Sequence, residues 1–292
     1  MSHGSGHDDR SPGGDLPSGV ARRRVQRWTG DGCRTFDDAL AEEVPVAIHC
    51  NGQPFAVMMA KPANIADFAR GFAWTERLVE RPDESVVEQV HAHLEGIVVQ
   101  LRIPEARAAA LAPRKRSLEG RSGCGICGSR QLEDVLRPLP PVQAALKIEV
   151  QALRRALGEL RQAQAINRLT GATHAAGWAG SDGRLQVVRE DVGRHNALDK
   201  LVGALLAQSI DPSAGFIVVT SRASYEMAMK AVAAGVGLLA AISAPTALAV
   251  SLAESANLTL IGFARDDGHA VYTHPQRLPG GRSPEDSVEN IA

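Results

Sequence analysis

Short apolar runs alternate with longer amphipathic segments through the second half of the chain, and this alternation constrains the fold more than any other feature. The apolar runs have the length of strands: Leu185–Arg189, Gly215–Thr220, Leu258–Ala264 and Ala270–Thr273. Strands that alternate with helices form a layered sheet with helices packed on its faces. The sequence therefore predicts an α/β fold here, with polar motifs at the strand ends.

Three segments of this half have helical patterns. Apolar residues recur three or four apart from Ile148, and Gly171 ends that helix. A second helix has Asn196 as its N-cap, with Asp199 three residues on. A third spans Ser224–Leu239, and a G-x-G-x-x-A pattern from Gly235 to Ala240 overlaps its end. That pattern does not follow a strand, so we interpret its glycines as packing positions.

The first half contains two hairpin patterns and one helix, which predicts a smaller, hairpin-rich N-terminal part. Val44–Cys50 and Phe55–Ala60 flank Asn51-Gly52, two residues that tolerate a positive φ. Asn64 is placed to cap the helix that follows, with Asp67 at its third position. Ser85–His93 and Ile97–Ile103 form the second hairpin pattern.

These patterns divide the chain into five segments. We expect a disordered tail (residues 1–20), a hairpin and helix part (21–113), a mobile loop (114–141), an α/β cofactor-binding part (142–278) and a flexible tail (279–292). The formal net charge of -1 argues against binding to nucleic acid or to an anionic membrane. No apolar run has the length of a membrane span and no secretory signal core is visible, so we expect a cytoplasmic protein.

A pair of cysteines, Cys124 and Cys127, lies in a glycine-rich stretch with arginines and a lysine just upstream. Glycine leaves the thiols open, and positive charge favours the reactive thiolate. Four interpretations compete: a structural zinc site completed by Cys33 and Cys50, a thioredoxin-like dithiol, inert thiols, and a nucleophile that carries sulfur. The loop's composition favours the last.

Three polar clusters follow predicted strands or precede predicted helices: Thr170–His174, Arg189–Asn196 and Ser221–Met227. Backbone amides at a helix start and paired arginine donors suit an anion or a nucleotide. A local network of ion pairs and caps, formed by Glu190, Asp191 and Arg194, would explain the second cluster equally well.

Together with the cysteine pair, these segments resemble the FdhD family of sulfur carriers, which formate dehydrogenase requires for activity. The resemblance runs from Val44 to Leu278, and Arg189–Leu201, Ser221–Met227 and Asn257–Leu278 match most fully. It implies that a cysteine desulfurase supplies sulfur to the loop. The chain then passes sulfur to the molybdenum (or tungsten) bis-pterin guanine dinucleotide cofactor before that cofactor enters formate dehydrogenase.

The resemblance also implies roles for individual residues. Cys124 matches the persulfide-bearing cysteine, and Cys127 its partner in relay or resolution. The cofactor segment corresponds to Phe263, Ala264, Arg265, Asp266, Asp267 and Gly268; the polar clusters add His174, Arg194, Ser221 and Arg222 as candidates. The two consecutive acids, Asp266 and Asp267, are unfavourable beside a pyrophosphate, which leaves Arg265 and backbone amides as donors.

The family also resembles cytidine deaminases in fold. Ala176 stands where the catalytic glutamate of a zinc deaminase belongs, so we expect the fold without that reaction. We further expect a homodimer, a guanine nucleotide as a partial mimic of the cofactor, and no metal site. A cofactor-binding chaperone and a zinc-stabilised scaffold remain the alternative functions.

Overall fold

The computed structural model describes residues 16–109, 139–143 and 145–279. Its larger sheet has six strands in the order β12-β11-β10-β9-β7-β8. The strands are β7 His174–Gly180, β8 Leu185–Asp191, β9 Gly215–Val219, β10 Leu238–Ala241, β11 Thr259–Arg265 and β12 Gly268–Val271. β9, β10 and β11 are parallel, whereas β7, β8 and β12 each run antiparallel to their inner neighbour.

Helices cover both faces of this sheet, as predicted for a layered α/β fold. Successive residues of β9 face opposite sides: Ile217 and Val219 pack into one core, Phe216 and Val218 into another. Helix α2 (Val150–Ala163) covers the second face, and the short helix α3 (Ala165–Thr170) follows it. Helices α4 (Arg194–Ala207), α5 (Tyr225–Ala233) and α6 (Ala247–Ser255) cover the first face.

The predicted helix Ser224–Leu239 is too long by several residues. Gly235 adopts a φ of 80° just past the end of α5, and Leu238–Ala241 then forms the parallel strand β10. A strand buried on both faces is apolar throughout, so periodicity alone does not distinguish it from a buried helix. A Cβ at Gly235 would meet nothing within 4 Å, so backbone conformation, not packing, explains this glycine.

A four-stranded sheet forms the N-terminal part, in the order β4-β3-β6-β5. Its strands are β3 Val44–Cys50, β4 Gln53–Ala60, β5 Val86–His93 and β6 Gly96–Arg102. The two predicted hairpins are present, and β3 pairs with β6 in parallel. An additional exposed two-stranded ribbon, β1 Val20–Thr29 with β2 Gly32–Ala41, precedes this sheet and was not expected.

Helix α1 (Ile65–Thr75) packs on this sheet and joins it to the larger one. A Cβ on Gly71 would lie 1.8 Å from the carbonyl oxygen of Asp199 in α4, and a Cβ on Gly203 1.8 Å from that of Asp67 in α1. The two helices therefore cross with their backbones in contact, an approach that only glycine permits.

Two of the three predicted helix ends differ in detail. Asn64 precedes α1 in a left-handed conformation with a φ of 56°, and its side chain makes no capping hydrogen bond. Gly193, rather than Asn196, occupies the N-cap position of α4. Asn196 is instead buried and donates from Nδ2 to the carbonyl oxygen of Met59 at 2.7 Å. The third end agrees with the prediction, since Gly171 closes α3 in a left-handed conformation, but the single helix predicted from Ile148 is divided at Gln164 into α2 and α3.

Buried ion clusters connect the N-terminal part to the α/β part. In the Asp191 cluster (Lys61, Asp191, Lys200), Lys200 Nζ lies 2.6 Å from Asp191 Oδ2 and donates to the carbonyl oxygen of Lys61. In the Asp199 cluster (Thr75, Glu76, Asp199, Lys230), the ammonium of Lys230 contacts all three partners. Each cluster spans both parts of the chain.

Within the described ranges, no helix is both long and apolar enough to cross a membrane. The predicted segment boundaries at residues 20, 113, 141 and 278 and the likeness to cytidine deaminases remain predictions.

Candidate functional site

The polar segments chosen from the sequence converge on one edge of the six-stranded sheet. Parallel strands β9, β10 and β11 end there, and β7 begins there because it runs antiparallel to β9. His174 pairs with Asp191, so β8 ends at the same edge. We call this the carboxyl edge. Ligands of open α/β sheets bind beyond such an edge.

Part of the predicted cluster at Arg189–Asn196 is structural. Glu190 accepts hydrogen bonds from the backbone amides of Ile166 and Asn167 and from the hydroxyl of Thr173. It therefore caps the start of α3. The fully buried carboxylate of Asp191 accepts from the amides of Lys61 and Gly193 and from Lys200. Glu190 and Asp191 therefore form a local network of caps and ion pairs, as the alternative interpretation of this cluster predicts.

Arg194 does not join that network. It is the first residue of α4, and its Nε has no hydrogen-bond partner in the described part of the chain. The Oγ of Ser224, at the start of α5, is likewise without a partner among the described residues. Helices α4 and α5 thus both begin at the carboxyl edge, and each has a polar side-chain atom beside its first backbone amides. This arrangement favours the binding of an anion.

His174 and His195 lie close to Arg194 at this edge. Burial lowers the pKa of His174, and the neighbouring charges of Arg194 and His195 lower it further. His195 Nε2 lies 2.6 Å from Glu226 Oε2, and both side chains are nearly buried. Neither His195 nor Glu226 was selected from the sequence, although both lie within the polar clusters.

Ser221 and Arg222 follow β9, but their environments differ. The buried hydroxyl of Ser221 donates to the carbonyl oxygen of Arg222 at 3.0 Å, so a local turn uses that hydroxyl. The side chain of Arg222 is exposed. Of this predicted pair, Arg222 is the one whose side chain is open to a ligand.

The predicted cofactor segment, Phe263–Gly268, forms a hairpin rather than a loop. Phe263, Ala264 and Arg265 belong to β11, Asp266 and Asp267 form the turn, and Gly268 begins β12 opposite Arg265. Phe263 has a φ of 51° and a half-exposed ring, while Ala264 is buried. A one-sided bulge in the pairing between Gly262 and Arg265 accompanies that conformation.

A shallow cavity of about 380 Å³ adjoins this hairpin. Its walls come from α2, from the end of β10 and from the hairpin itself: Leu157, Arg161, Ile242, Ala264, Arg265, Asp266 and Asp267. Arg161 holds Asp266 with two hydrogen bonds of 2.8 Å. This pairing lowers the pKa of Asp266, so the carboxylate stays charged. Arg161 was not selected from the sequence, since its partner is 105 residues away.

The hairpin cavity and the His174 group occupy different parts of the carboxyl edge. β11 and β7 are separated by β10 and β9 in the sheet order. Three strand spacings of roughly 4.8 Å place them about 14 Å apart. A ligand that contacted both groups would therefore have to be extended.

The cysteine pair, Cys124 and Cys127, lies outside the described residues, as does most of the predicted mobile loop at residues 114–141. Cys33 is exposed on β2, whereas Cys50 is buried on β3, where burial raises its thiol pKa to about 11. A thiol with so high a pKa is a poor nucleophile and a poor metal ligand. In the described ranges, no group of three or more His, Cys, Asp or Glu side chains is arranged to hold a metal ion.

Comparison with known proteins shows which family the chain belongs to. The model of the FdhD/NarQ family matches residues 41–279. A protein of Xanthomonas campestris pv. campestris (strain B100) named "Sulfur carrier protein FdhD" is 57% identical over 270 residues, which cover 92% of this chain and 96% of that protein. A protein of the same name from Bordetella petrii is 51% identical over 247 residues, 85% of this chain and 89% of its own length.

The fold also has a counterpart among solved structures. A crystal structure from Desulfotalea psychrophila, described as that of a formate dehydrogenase accessory protein, superposes with a TM-score of 0.71. The superposition covers 89% of this chain and 99% of that one at 21% sequence identity. It supports the layered α/β architecture.

Proposed function

The chain belongs to the FdhD/NarQ family, and we propose that it is a sulfur carrier that serves the maturation of formate dehydrogenase. The observation that carries the proposal is the 57% identity, over 92% of this chain, to a protein named as a sulfur carrier. The family match also spans the positions of Cys124 and Cys127.

In the loading step, the thiolate of Cys124 attacks the outer sulfur of a persulfide on a cysteine desulfurase. The donor's S–S bond breaks, the donor cysteine leaves as a thiolate, and Cys124 becomes a persulfide. The sequence upstream of Cys124 supports this role, because positive charge close to a cysteine stabilises its thiolate. The cationic residues there include Lys115, Arg116 and Arg121. Cys33 and Cys50 take no part in the step.

In the transfer step, the outer sulfur passes to the molybdenum bis-pterin guanine dinucleotide cofactor, the substrate of this reaction. Attack of the Cys127 thiolate on the inner sulfur of the persulfide forms a Cys124–Cys127 disulfide and releases the outer sulfur as hydrosulfide. That step balances by itself, and a cellular dithiol then reduces the disulfide. Hydrosulfide carries sulfur in the reduced form that a metal centre takes as a ligand.

The carboxyl edge supplies the groups that an anionic, extended cofactor needs. Near the His174 group, hydrogen-bond donors come from Arg194, from Arg222 and from the starts of α4 and α5. At the hairpin cavity, Arg265 provides the donors. Strands β11 and β7, which carry the hairpin and His174, lie about 14 Å apart, a separation that suits an extended dinucleotide better than a small anion. We further propose that the chain acts as a homodimer, the commonest symmetric assembly.

Complementation of formate dehydrogenase activity tests this function. A host strain that lacks its own copy of the gene would express the wild-type chain, Cys124→Ala, Cys127→Ala or Cys33→Ser. We expect Cys124→Ala to lower formate dehydrogenase activity to the level of the empty vector, and Cys33→Ser to leave it unchanged. Activity near the wild-type level with Cys124→Ala would contradict a carrier and favour a chaperone that only holds the cofactor.

A further inference from the structure

The ribbon formed by β1 and β2 is separate from both larger sheets. Its strands pair with each other from Val20 and Ala41 to Thr29 and Gly32, and with no other strand in the described ranges. The half that contains the turn, residues 26–35, is exposed at every position. We call this half the ribbon tip. Because its side chains are all exposed, packing within the described part of the chain does not explain them.

One face of the tip carries two arginines side by side. Arg27 and Arg34 are directly opposite each other in the register, so both side chains project from the same face. The guanidinium of Arg27 lies 4.5 Å from the ring centroid of Phe36, which holds it against the ribbon. Like charges that are directly opposite destabilise a strand pair. A carboxylate bound beside the two guanidinium groups would relieve this repulsion.

The other face of the tip carries a tryptophan. Trp28 pairs with Cys33 and is 74% exposed. Tryptophan and arginine are enriched among the residues that dominate the binding energy of protein interfaces, and the tip presents both types to solvent. The whole ribbon, residues 20–41, is also cationic, with five arginines and three aspartates. An acidic protein surface that offers an apolar pocket therefore fits this tip.

The base of the ribbon lies beside the carboxyl edge. A Cβ on Gly19, just before β1, would lie 2.6 Å from Cγ of Lys61, whose amide donates to Asp191 at the end of β8. β2 contacts α3, which leads directly into the start of β7. These ends of β8 and β7 are at the carboxyl edge. Ten residues at about 3.4 Å each make the ribbon about 34 Å long, so its tip can reach a protein that approaches this edge.

We propose that the ribbon tip is a docking site for cofactor-free formate dehydrogenase, through an acidic groove on that enzyme. This inference rests on the proposed function, in which the enzyme that receives the cofactor must approach the carboxyl edge. Arg27 and Arg34 bind carboxylates of the enzyme, and Trp28 enters an apolar pocket. Because the arginines and the tryptophan are on opposite faces, the tip requires a groove and not a flat surface.

Binding of formate dehydrogenase to the immobilised chain tests the proposal, with enzyme purified from a host that cannot make the cofactor. We expect Arg27→Glu and Trp28→Ala each to weaken binding by about 10-fold or more. Raising the salt concentration from about 50 to about 300 mM should weaken binding of the wild-type chain more than that of Arg27→Glu, because salt screens charge pairs.

Two exposed residues far from the tip in the chain provide matched controls. Arg184→Glu changes an arginine in the β7–β8 turn, at the opposite edge of the six-stranded sheet, and Leu94→Ala changes a leucine in the β5–β6 turn. Both should bind formate dehydrogenase as the wild-type chain does. All four substituted side chains are exposed, so thermal unfolding should be unchanged in every variant.

Two further measurements on the same variants identify other occupants of the tip. A cysteine desulfurase should load sulfur onto every variant at the wild-type rate. Slower loading of the tip variants, with unchanged binding of formate dehydrogenase, would assign the tip to the sulfur donor and overturn the proposal. A change from dimer to monomer in Trp28→Ala, again with unchanged binding of formate dehydrogenase, would assign the tip to a second copy of the chain and also overturn it.

Failure of this inference is distinguishable from failure of the proposed function. Equal binding of formate dehydrogenase by the wild-type chain, Arg27→Glu and Trp28→Ala would overturn the docking site and leave the sulfur carrier standing. So would a wild-type chain that takes up sulfur but does not bind formate dehydrogenase. A wild-type chain that does neither would contradict both. Weaker binding in the two tip variants, with the controls and sulfur loading unchanged, supports the proposal.

Discussion

At the scale of single residues, burial determines which cysteines are available for chemistry. Cys50 lies on β3 and faces the core beneath α1, and burial raises its thiol pKa from 9.0 to about 11. At neutral pH such a thiol is almost entirely protonated. Cys33 is exposed on the unexpected ribbon and does not belong to the core cluster that contains Cys50. The structure thus gives these two cysteines no shared site.

The raised pKa of Cys50 predicts how stability depends on pH. Between pH 9 and 11 the unfolded thiol loses its proton while the folded thiol keeps it, so ionisation favours the unfolded state as pH rises. When the pH is raised from about 8.5 to about 10.5, the unfolding free energy of the wild-type chain should therefore fall further than that of Cys50→Ala. The expected difference between the two decreases is about 1.5 kcal/mol. Urea titrations at the two pH values measure this difference.

Cys33→Ser is the control for that measurement. Its thiol is exposed, so its removal should leave the pH dependence of stability equal to that of the wild-type chain. Equal pH dependence of Cys50→Ala and the wild-type chain would show that the Cys50 thiol ionises as readily in the folded state as in the unfolded state.

Residue patterns in the sequence located much of the candidate site, but they did not resolve the roles of its members. Polar residues next to strand ends placed His174, Arg194 and Phe263–Gly268 at one edge, and the structure brings these segments to that edge. Their assignment as cofactor ligands stays a prediction. Arg161 and Glu226 were missed because their partners are distant in sequence: a helical arginine and glutamate look like ordinary exposed residues.

At the scale of elements, the crossing of α1 and α4 joins the two parts of the chain. Because Gly71 and Gly203 each face a backbone carbonyl of the other helix, any side chain there would force the helices apart. A change of helix position would also move Arg194 and His195 at the start of α4. The geometry of the carboxyl edge therefore depends on these two glycines.

Substitution of these glycines tests that dependence. Gly71→Ala and Gly203→Ala should each destabilise the chain by about 3 kcal/mol or more, because the clash is with backbone, not with a mobile side chain. Gly158→Ala in α2 is the matched control: a Cβ there meets nothing within 4 Å, so we expect a gain of up to about 1 kcal/mol from helix propensity. Urea denaturation measures all three. An unchanged midpoint for Gly71→Ala would show that the crossing is not tight.

Helices and strands with a clear hydrophobic periodicity, or with a turn sequence beside them, were predictable from the sequence. The Asn51-Gly52 hairpin, the hairpin at Gly96 and the strands β8, β9 and β11 lie within a few residues of their predicted positions. β7 and α6 were missed, because β7 is mostly alanine and glycine and α6 is apolar on several faces. The first two residues of β10, Leu238 and Leu239, were assigned to a helix for the related reason that this strand is apolar throughout. The ribbon was missed because its strands are charged and exposed.

At the scale of the whole molecule, buried charges couple the N-terminal sheet to the α/β part. Burial alone would lower the pKa of Lys230, but the charges of Asp199 and Glu76 outweigh it and raise that pKa, so the ammonium remains charged. Lys200 is fully buried against Asp191. Loss of one partner from such a pair leaves an uncompensated buried charge, which typically costs about 3 to 5 kcal/mol. These clusters therefore favour one fixed arrangement of the two parts.

That arrangement fixes the position of the carboxyl edge, and the proposed function requires a sulfur-bearing cysteine to reach this edge. The hairpin cavity and the starts of α4 and α5 belong to packed elements on a single sheet. The edge provides donors for an anionic substrate, whereas the described thiols, Cys33 and Cys50, lie in the N-terminal half of the chain, on β2 and β3. The proposed function therefore rests on Cys124 as the site where sulfur is held.

Mass spectrometry of the chain after incubation with a cysteine desulfurase and cysteine tests this claim most directly. We predict that the wild-type chain and the double variant Cys33→Ser/Cys50→Ser each gain the mass of one sulfur atom, on a peptide that contains Cys124. Cys124→Ala should gain none, and treatment with a reductant should remove the added mass from the other two. Equal sulfur loading of Cys124→Ala and the wild-type chain would contradict the account.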